Sequence, residues 1–227
     1  MKATSPLPHS ELQIERMLTI WGIIVIIWSF FRAYLQPPVW FSEFIAKPMV
    51  FLLPILFYIK RFEPKERFFL SAVGFPHKKK GLELLLSLSL FCVVLGSGIL
   101  LLATSRGAKI TTIQSLNFAQ FGYLLTLAFA TSFTEEILGR GFLFNYLEKY
   151  TGKFLVSLFI SASLFFVLYL PSALTAKISG QALFFNLLLN FLLSFMTSIL
   201  FHLRKNILSS IAFHMGILLW FEIFFGI

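Results

Sequence analysis

Seven long apolar runs dominate the sequence, near residues 17–35, 40–59, 81–103, 119–147, 154–170, 182–203 and 207–226. About twenty residues at 1.5 Å each span the hydrocarbon core of a bilayer as a helix. A soluble domain of 227 residues would fill its core long before using 58% hydrophobic residues, 30 of them phenylalanine. The runs are continuous rather than alternating, which excludes an outer-membrane barrel. The expected fold is all-α, a polytopic helical bundle with about seven transmembrane helices, multi-pass in the cell membrane with the lipid bilayer as its solvent.

Three regions are expected: a cytoplasmic N-terminal segment 1–16, N-terminal transmembrane helices 17–103, and a transmembrane core 118–227. The second run is interrupted by Glu43, Lys47, Pro48 and Pro54, leaving open whether it crosses the membrane or is re-entrant. The loop 60–80 is basic with an apolar middle and is expected to lie on anionic headgroups. With this loop and the N-terminus inside, 14 of the 19 lysines and arginines fall inside and 5 outside, which predicts the C-terminus outside. The net charge of +9 is therefore topogenic, and no nucleic-acid partner is expected. The single cysteine, Cys92, reads as helix packing.

The fourth run carries Glu135, Glu136 and Arg140 in the middle of an otherwise lipid-compatible stretch. Ionisable groups at that depth are costly, so they face a protein interior. Glu136 and Arg140, four apart, share a helix face. Glu135 lies about 100° round, beside Gly139, where a missing side chain lets another helix approach. The sixth run carries a polar stripe, Asn186, Asn190, Ser194, Ser198 and His202, and the seventh contains His214. Counting from the inner ends, Glu136 lies roughly 15–18 Å deep, His214 roughly 14 Å and Tyr169 roughly 24 Å. A shared polar cavity between the fourth, sixth and seventh helices is expected, with Tyr169 above it. A carboxylate and a histidine there can activate a water; a Glu136–Arg140 pair that merely permits burial is the competing structural role.

Metal chemistry has little support: there is no His-Glu-x-x-His, and zinc enzymes commonly use three protein ligands. No cofactor and no metal are expected. Ser161 and Ser163 have no candidate base nearby in sequence, which disfavours a serine protease.

The segment TEEILGRGFLFNYL resembles the Glu-Glu-x-x-x-Arg motif of the CPBP family, the type II CAAX prenyl endopeptidases and their bacteriocin-processing and immunity relatives. The family's second motif, Phe-x-x-x-His, is matched by Phe165 but carries Tyr169 at the histidine position. Its third, His-x-x-x-Asn or Asp, is matched by His214 but carries Leu218. The resemblance implies an intramembrane endopeptidase acting on a membrane-associated peptide or protein near the cytoplasmic face, without an obligatory metal. Carried over residue by residue, it implies Glu135, Glu136, Arg140 and His214 as catalytic with Phe165 in support; Tyr169 and Leu218 depart from the pattern, and Asn190 on the neighbouring polar stripe is the candidate to replace the missing amide. Tyr169 is a poor base at neutral pH but can donate a hydrogen bond. The altered positions leave two alternatives: an attenuated peptidase, or a non-catalytic relative acting as scaffold, regulator or immunity protein.

Overall fold

The computed structural model describes residues 8–35, 37–63, 68–76, 80–104, 117–175 and 180–225. Among these, every regular element is helical: α1 (Pro8–Tyr34), α2 (Val39–Phe62), α3 (Phe69–Ala72), α4 (Lys80–Thr104), α5 (Phe118–Glu136), α6 (Asn145–Thr151), α7 (Phe154–Thr175), α8 (Gly180–Arg204) and α9 (Ile207–Phe225). An eight-residue π-helical stretch, Ile137–Phe144, joins α5 to α6 without a break. Five of these helices, α1, α2, α4, α7 and α8, contain segments long and apolar enough to cross a membrane. The chain is a multi-pass membrane protein. Ile26, Phe30, Leu53, Val93, Leu100 and Phe184 point outward on these helices, as lipid-facing side chains do.

Two boundaries differ from the sequence reading. The first helix begins at Pro8 rather than near Met17, so residues 8–16 extend α1 instead of forming a separate segment. Proline is tolerated in a helix's first turn because that N–H has no intrahelical partner anyway. Further along, Gln13 is buried where the Tyr58 hydroxyl donates to its backbone carbonyl (3.3 Å). The second helix is continuous over Val39–Phe62. Its prolines are absorbed by two π-helical stretches, Ser42–Ala46 and Pro48–Leu52, whose wider turns re-route the hydrogen bonds a proline interrupts.

Polar cross-links gather the alternating helix ends at one face of the bundle. Lys149 pairs with Glu63 (2.7 Å), Arg204 with Glu83 (2.7 Å), and Lys205 with Glu148 (2.9 Å). These bonds join the C-terminal ends of α2, α6 and α8 to the N-terminal end of α4, as an up-and-down bundle requires. The loop 60–80 contributes to this face differently from the expectation of a headgroup-bound segment. Its middle is packed into the bundle: Val73 is fully buried, Asn145 Nδ2 donates to the Ala72 carbonyl (3.1 Å), and Ile207 N donates to the Gly74 carbonyl (3.0 Å). Gly74 adopts φ +89° with the Phe201 ring against it, a combination open only to glycine.

The described parts of the basic loop lie at this face. If it is cytoplasmic, as the charge asymmetry predicts, a membrane-impermeant thiol reagent added outside should label Ile227→Cys but not Lys79→Cys, both in a Cys92→Ser background. Labelling of residue 79 alone would reverse the orientation.

The π-helical stretch lies at the centre of the molecule. Every residue from Thr134 to Phe144 is buried, with α2, α7, α8 and α9 packed around the stretch. A Cβ on Gly139 would meet the Phe165 ring at 3.1 Å, and one on Gly141 would lie 2.8 Å from the Val73 carbonyl oxygen. The expected close approach beside Gly139 is thus made by α7. The helices α4 and α9 meet in the same way, with Trp220 over Gly98 and Val94 against Gly216.

Candidate active site

Charged and polar side chains are supplied to the bundle interior by four helices, α2, α5, α7 and α9. On α5, Glu135 and Glu136 end the regular α-helix, and Arg140 lies within the π-helical stretch that follows. All three are at least 97% buried, and so is His214 on α9. Such burial is tolerable only if each charge finds a partner.

Glu136 bridges two of them. Its Oε2 pairs with Arg140 Nε at 3.2 Å, and its Oε1 lies 2.7 Å from His214 Nδ1. A carboxylate facing the Arg140 cation can only accept, so Nδ1–H is the donor. That leaves His214 Nε2 directed at the second carboxylate, 3.8 Å from Glu135 Oε2, beyond direct hydrogen-bond range. The Arg140 guanidinium also stacks over Phe165, 4.7 Å from the ring centroid, which explains an aromatic residue at that position.

Glu135 is held from two other sides. The Tyr169 hydroxyl on α7 donates to its Oε2, and Lys47 Nζ on α2 lies 2.7 Å from its Oε1. Lys47 also pairs with Glu43, which accepts from the Thr131 hydroxyl (2.7 Å). Three carboxylates, Glu43, Glu135 and Glu136, therefore face the two permanent cations Lys47 and Arg140, with His214 between two of the carboxylates. The cluster is an interior ionic network.

The structure thus brings Glu135, Glu136, Arg140, Phe165, Tyr169 and His214 together. Asn190 is not part of this network. Its amide donates along its own helix to the Asn186 carbonyl (2.9 Å) and Oδ1 (3.1 Å), so it does not stand in for the missing motif amide. Leu218 packs with the apolar cluster of Ala128, Leu219 and Ile223. His202, at the end of the α8 stripe, pairs with Glu148 (2.5 Å) at the charged face. Among the described residues no group of three or more His, Cys, Asp or Glu side chains is arranged to hold a metal ion.

Lys47 and Glu43 were legible in sequence only as interruptions of an apolar run. The signal was present, since an intramembrane Glu and Lys four apart are as costly as the glutamates of α5. Lys47 also has to be removed from the outer charge count; without Lys47 and Arg140 the asymmetry is 13 against 4 and keeps its sign.

Residues 117–220 match the family model described as type II CAAX prenyl endopeptidase Rce1-like. This segment is thus similar to the type II CAAX prenyl endopeptidases of the CPBP family. It contains all three motif landmarks and the π-helical stretch, whereas Lys47 and Glu43 lie outside it. Comparison with curated proteins and with solved structures returned no match.

Proposed function

We propose that the protein is an attenuated CPBP-type intramembrane endopeptidase of the cell membrane, cutting a peptide bond of a membrane-associated peptide or protein near the cytoplasmic face. The observation that carries this reading is the buried Glu136–His214 pair, with the second ring nitrogen aimed at Glu135. Glu136 fixes the imidazole tautomer, so the lone pair of Nε2 and the Glu135 carboxylate face a common point. A water there loses its proton to one of these bases as its oxygen attacks the carbonyl carbon. The proton then passes to the departing amine as the carbon–nitrogen bond breaks. Tyr169 caps the site with an O–H directed inward, a donor rather than a base at neutral pH.

A specific observation favours the alternative of a non-catalytic relative. Both oxygens of Glu135 are already engaged, one by Lys47 and one by Tyr169. With a phenol rather than a second base on Glu135 Oε2, taking the proton from water falls mainly to His214 Nε2, which is why the activity is expected to be low.

The test is reconstitution into liposomes with a peptide library that includes prenylated and unprenylated CAAX peptides. Wild-type protein should release defined fragments, whereas no cleavage of any peptide would favour a scaffold, regulator or immunity role. The family name makes the prenylated members the first to examine.

A further inference from the structure

Two members of the buried network, Lys47 and Glu43, come from outside the family-matched segment, and Lys47 is the one that meets Glu135. Lys47 sits at the junction of the two π-helical stretches of α2, and only 6% of it is exposed. Its ammonium contacts Glu135 Oε1 at 2.7 Å and pairs with Glu43. Glu43 is held in turn by Thr131 on α5, four residues before Glu135. Below it lies the Trp28 ring of α1, 5.9 Å from Nζ to the centroid. The ammonium is thus fixed from three helices, a placement that a lysine serving only to anchor a helix at the lipid interface does not need.

The chemistry of the cluster gives that placement a purpose. Without Lys47, Arg140 is, among the described residues, the one permanent cation facing Glu43, Glu135 and Glu136, and it is already committed to Glu136. His214 would then be the group nearest to Glu135 able to carry positive charge. A charge held on Nε2 would remove the lone pair that faces the reaction point. Lys47 relieves His214 of that role. π-Helical turns are a recognised means of aiming a side chain at a site, and two of them flank this residue.

We propose that Lys47 is a positioning residue of this site: it balances the charge of Glu135 from α2 and so leaves His214 free to act toward substrate. This rests on the peptidase reading for its consequence in catalysis, but the electrostatic linkage between Lys47, Glu135 and His214 can be tested without it. Lys47→Arg retains the positive charge, Lys47→Met removes it, and Lys47→Met combined with Glu135→Gln removes both partners of the pair.

Histidine-selective isotope labelling reads the imidazole directly, with His214→Gln used to assign its resonance among the four histidines. The His214 nitrogen resonances should move in Lys47→Met and stay near the wild-type position in Lys47→Arg. Thermal midpoints should be coupled: the double variant should lose less than the sum of Lys47→Met and Glu135→Gln. In the cleavage assay Lys47→Met should lower kcat by about tenfold or more while KM changes little, and Lys47→Arg should recover most of the loss. Should Lys47→Met fail to fold, the double variant and Lys47→Arg still supply the comparison, since neither leaves Glu135 as an unpaired carboxylate and Glu43 keeps the Thr131 hydroxyl as a partner. An unmoved His214 resonance together with additive midpoints would overturn the proposal. If wild-type protein cleaves nothing, the peptidase reading falls while resonance and coupling still decide the linkage.

Discussion

Replacing Glu136 with glutamine should reduce cleavage by about 10²- to 10⁴-fold, the range associated with losing a positioned acid–base group. The side chain keeps its size, but an amide cannot serve both of its present neighbours. The carboxylate accepts from His214 Nδ1 and carries the charge opposite Arg140. Glutamine can offer its carbonyl to one and presents N–H groups to the other, so the imidazole loses the partner that fixes its tautomer. Stability should fall too, because Arg140 is fully buried and loses its counter-charge. Breaking a buried pair from one side costs about 3–5 kcal/mol. The two effects separate by experiment: turnover is measured on protein shown to be folded, and the thermal midpoint records the rest.

The second large effect is a gain. Tyr169→His should raise cleavage, most when combined with Leu218→Asn. Tyr169 occupies the motif histidine position and its hydroxyl meets Glu135 Oε2, so an imidazole there would replace a donor by a group that can also take a proton. An added base at the reaction point is worth up to about 10²- to 10⁴-fold. Leu218 lies one helical turn beyond His214 and packs among apolar residues, so asparagine would restore an amide to α9 at some cost in packing. Tyr169→Phe tests the opposite direction. It removes one hydrogen bond to a charged acceptor, about 1.5–3 kcal/mol, and should weaken activity without abolishing it. Initial rates for these three variants and the wild type in one vesicle preparation check the series. A Tyr169→Phe protein that is folded and wholly inactive would make the phenol chemically essential and contradict its role as a cap.

The helices were legible because a bilayer leaves a chain few options. Backbone groups must be satisfied within each span, so apolar length translates into helix length. Sequence placed the fourth helix's polar residues within one helix but could not see that Ile137–Phe144 would widen into a π-helix at the centre of the bundle. The Glu136–Arg140 pair was readable because it obeys local helical spacing. The contact between Lys47 and Glu135 spans 88 residues of sequence, and local spacing does not encode that distance. Asn190 shows the reverse error. Its regular place in a polar stripe suggested a partner across the bundle, yet Asn186 one turn earlier satisfies its amide. Depth counting placed Tyr169 well above the glutamates, but the side chain reaches Glu135 directly.

The central claim is that Glu136, through His214, activates a water inside the membrane. It is tested most directly by running wild-type protein and Glu136→Gln side by side in liposomes containing ¹⁸O-labelled water. Wild-type protein should generate a new peptide C-terminus carrying ¹⁸O, and the folded Glu136→Gln protein should generate almost none. Equal cleavage by both proteins, or cleavage without ¹⁸O in the new carboxylate, would contradict the account.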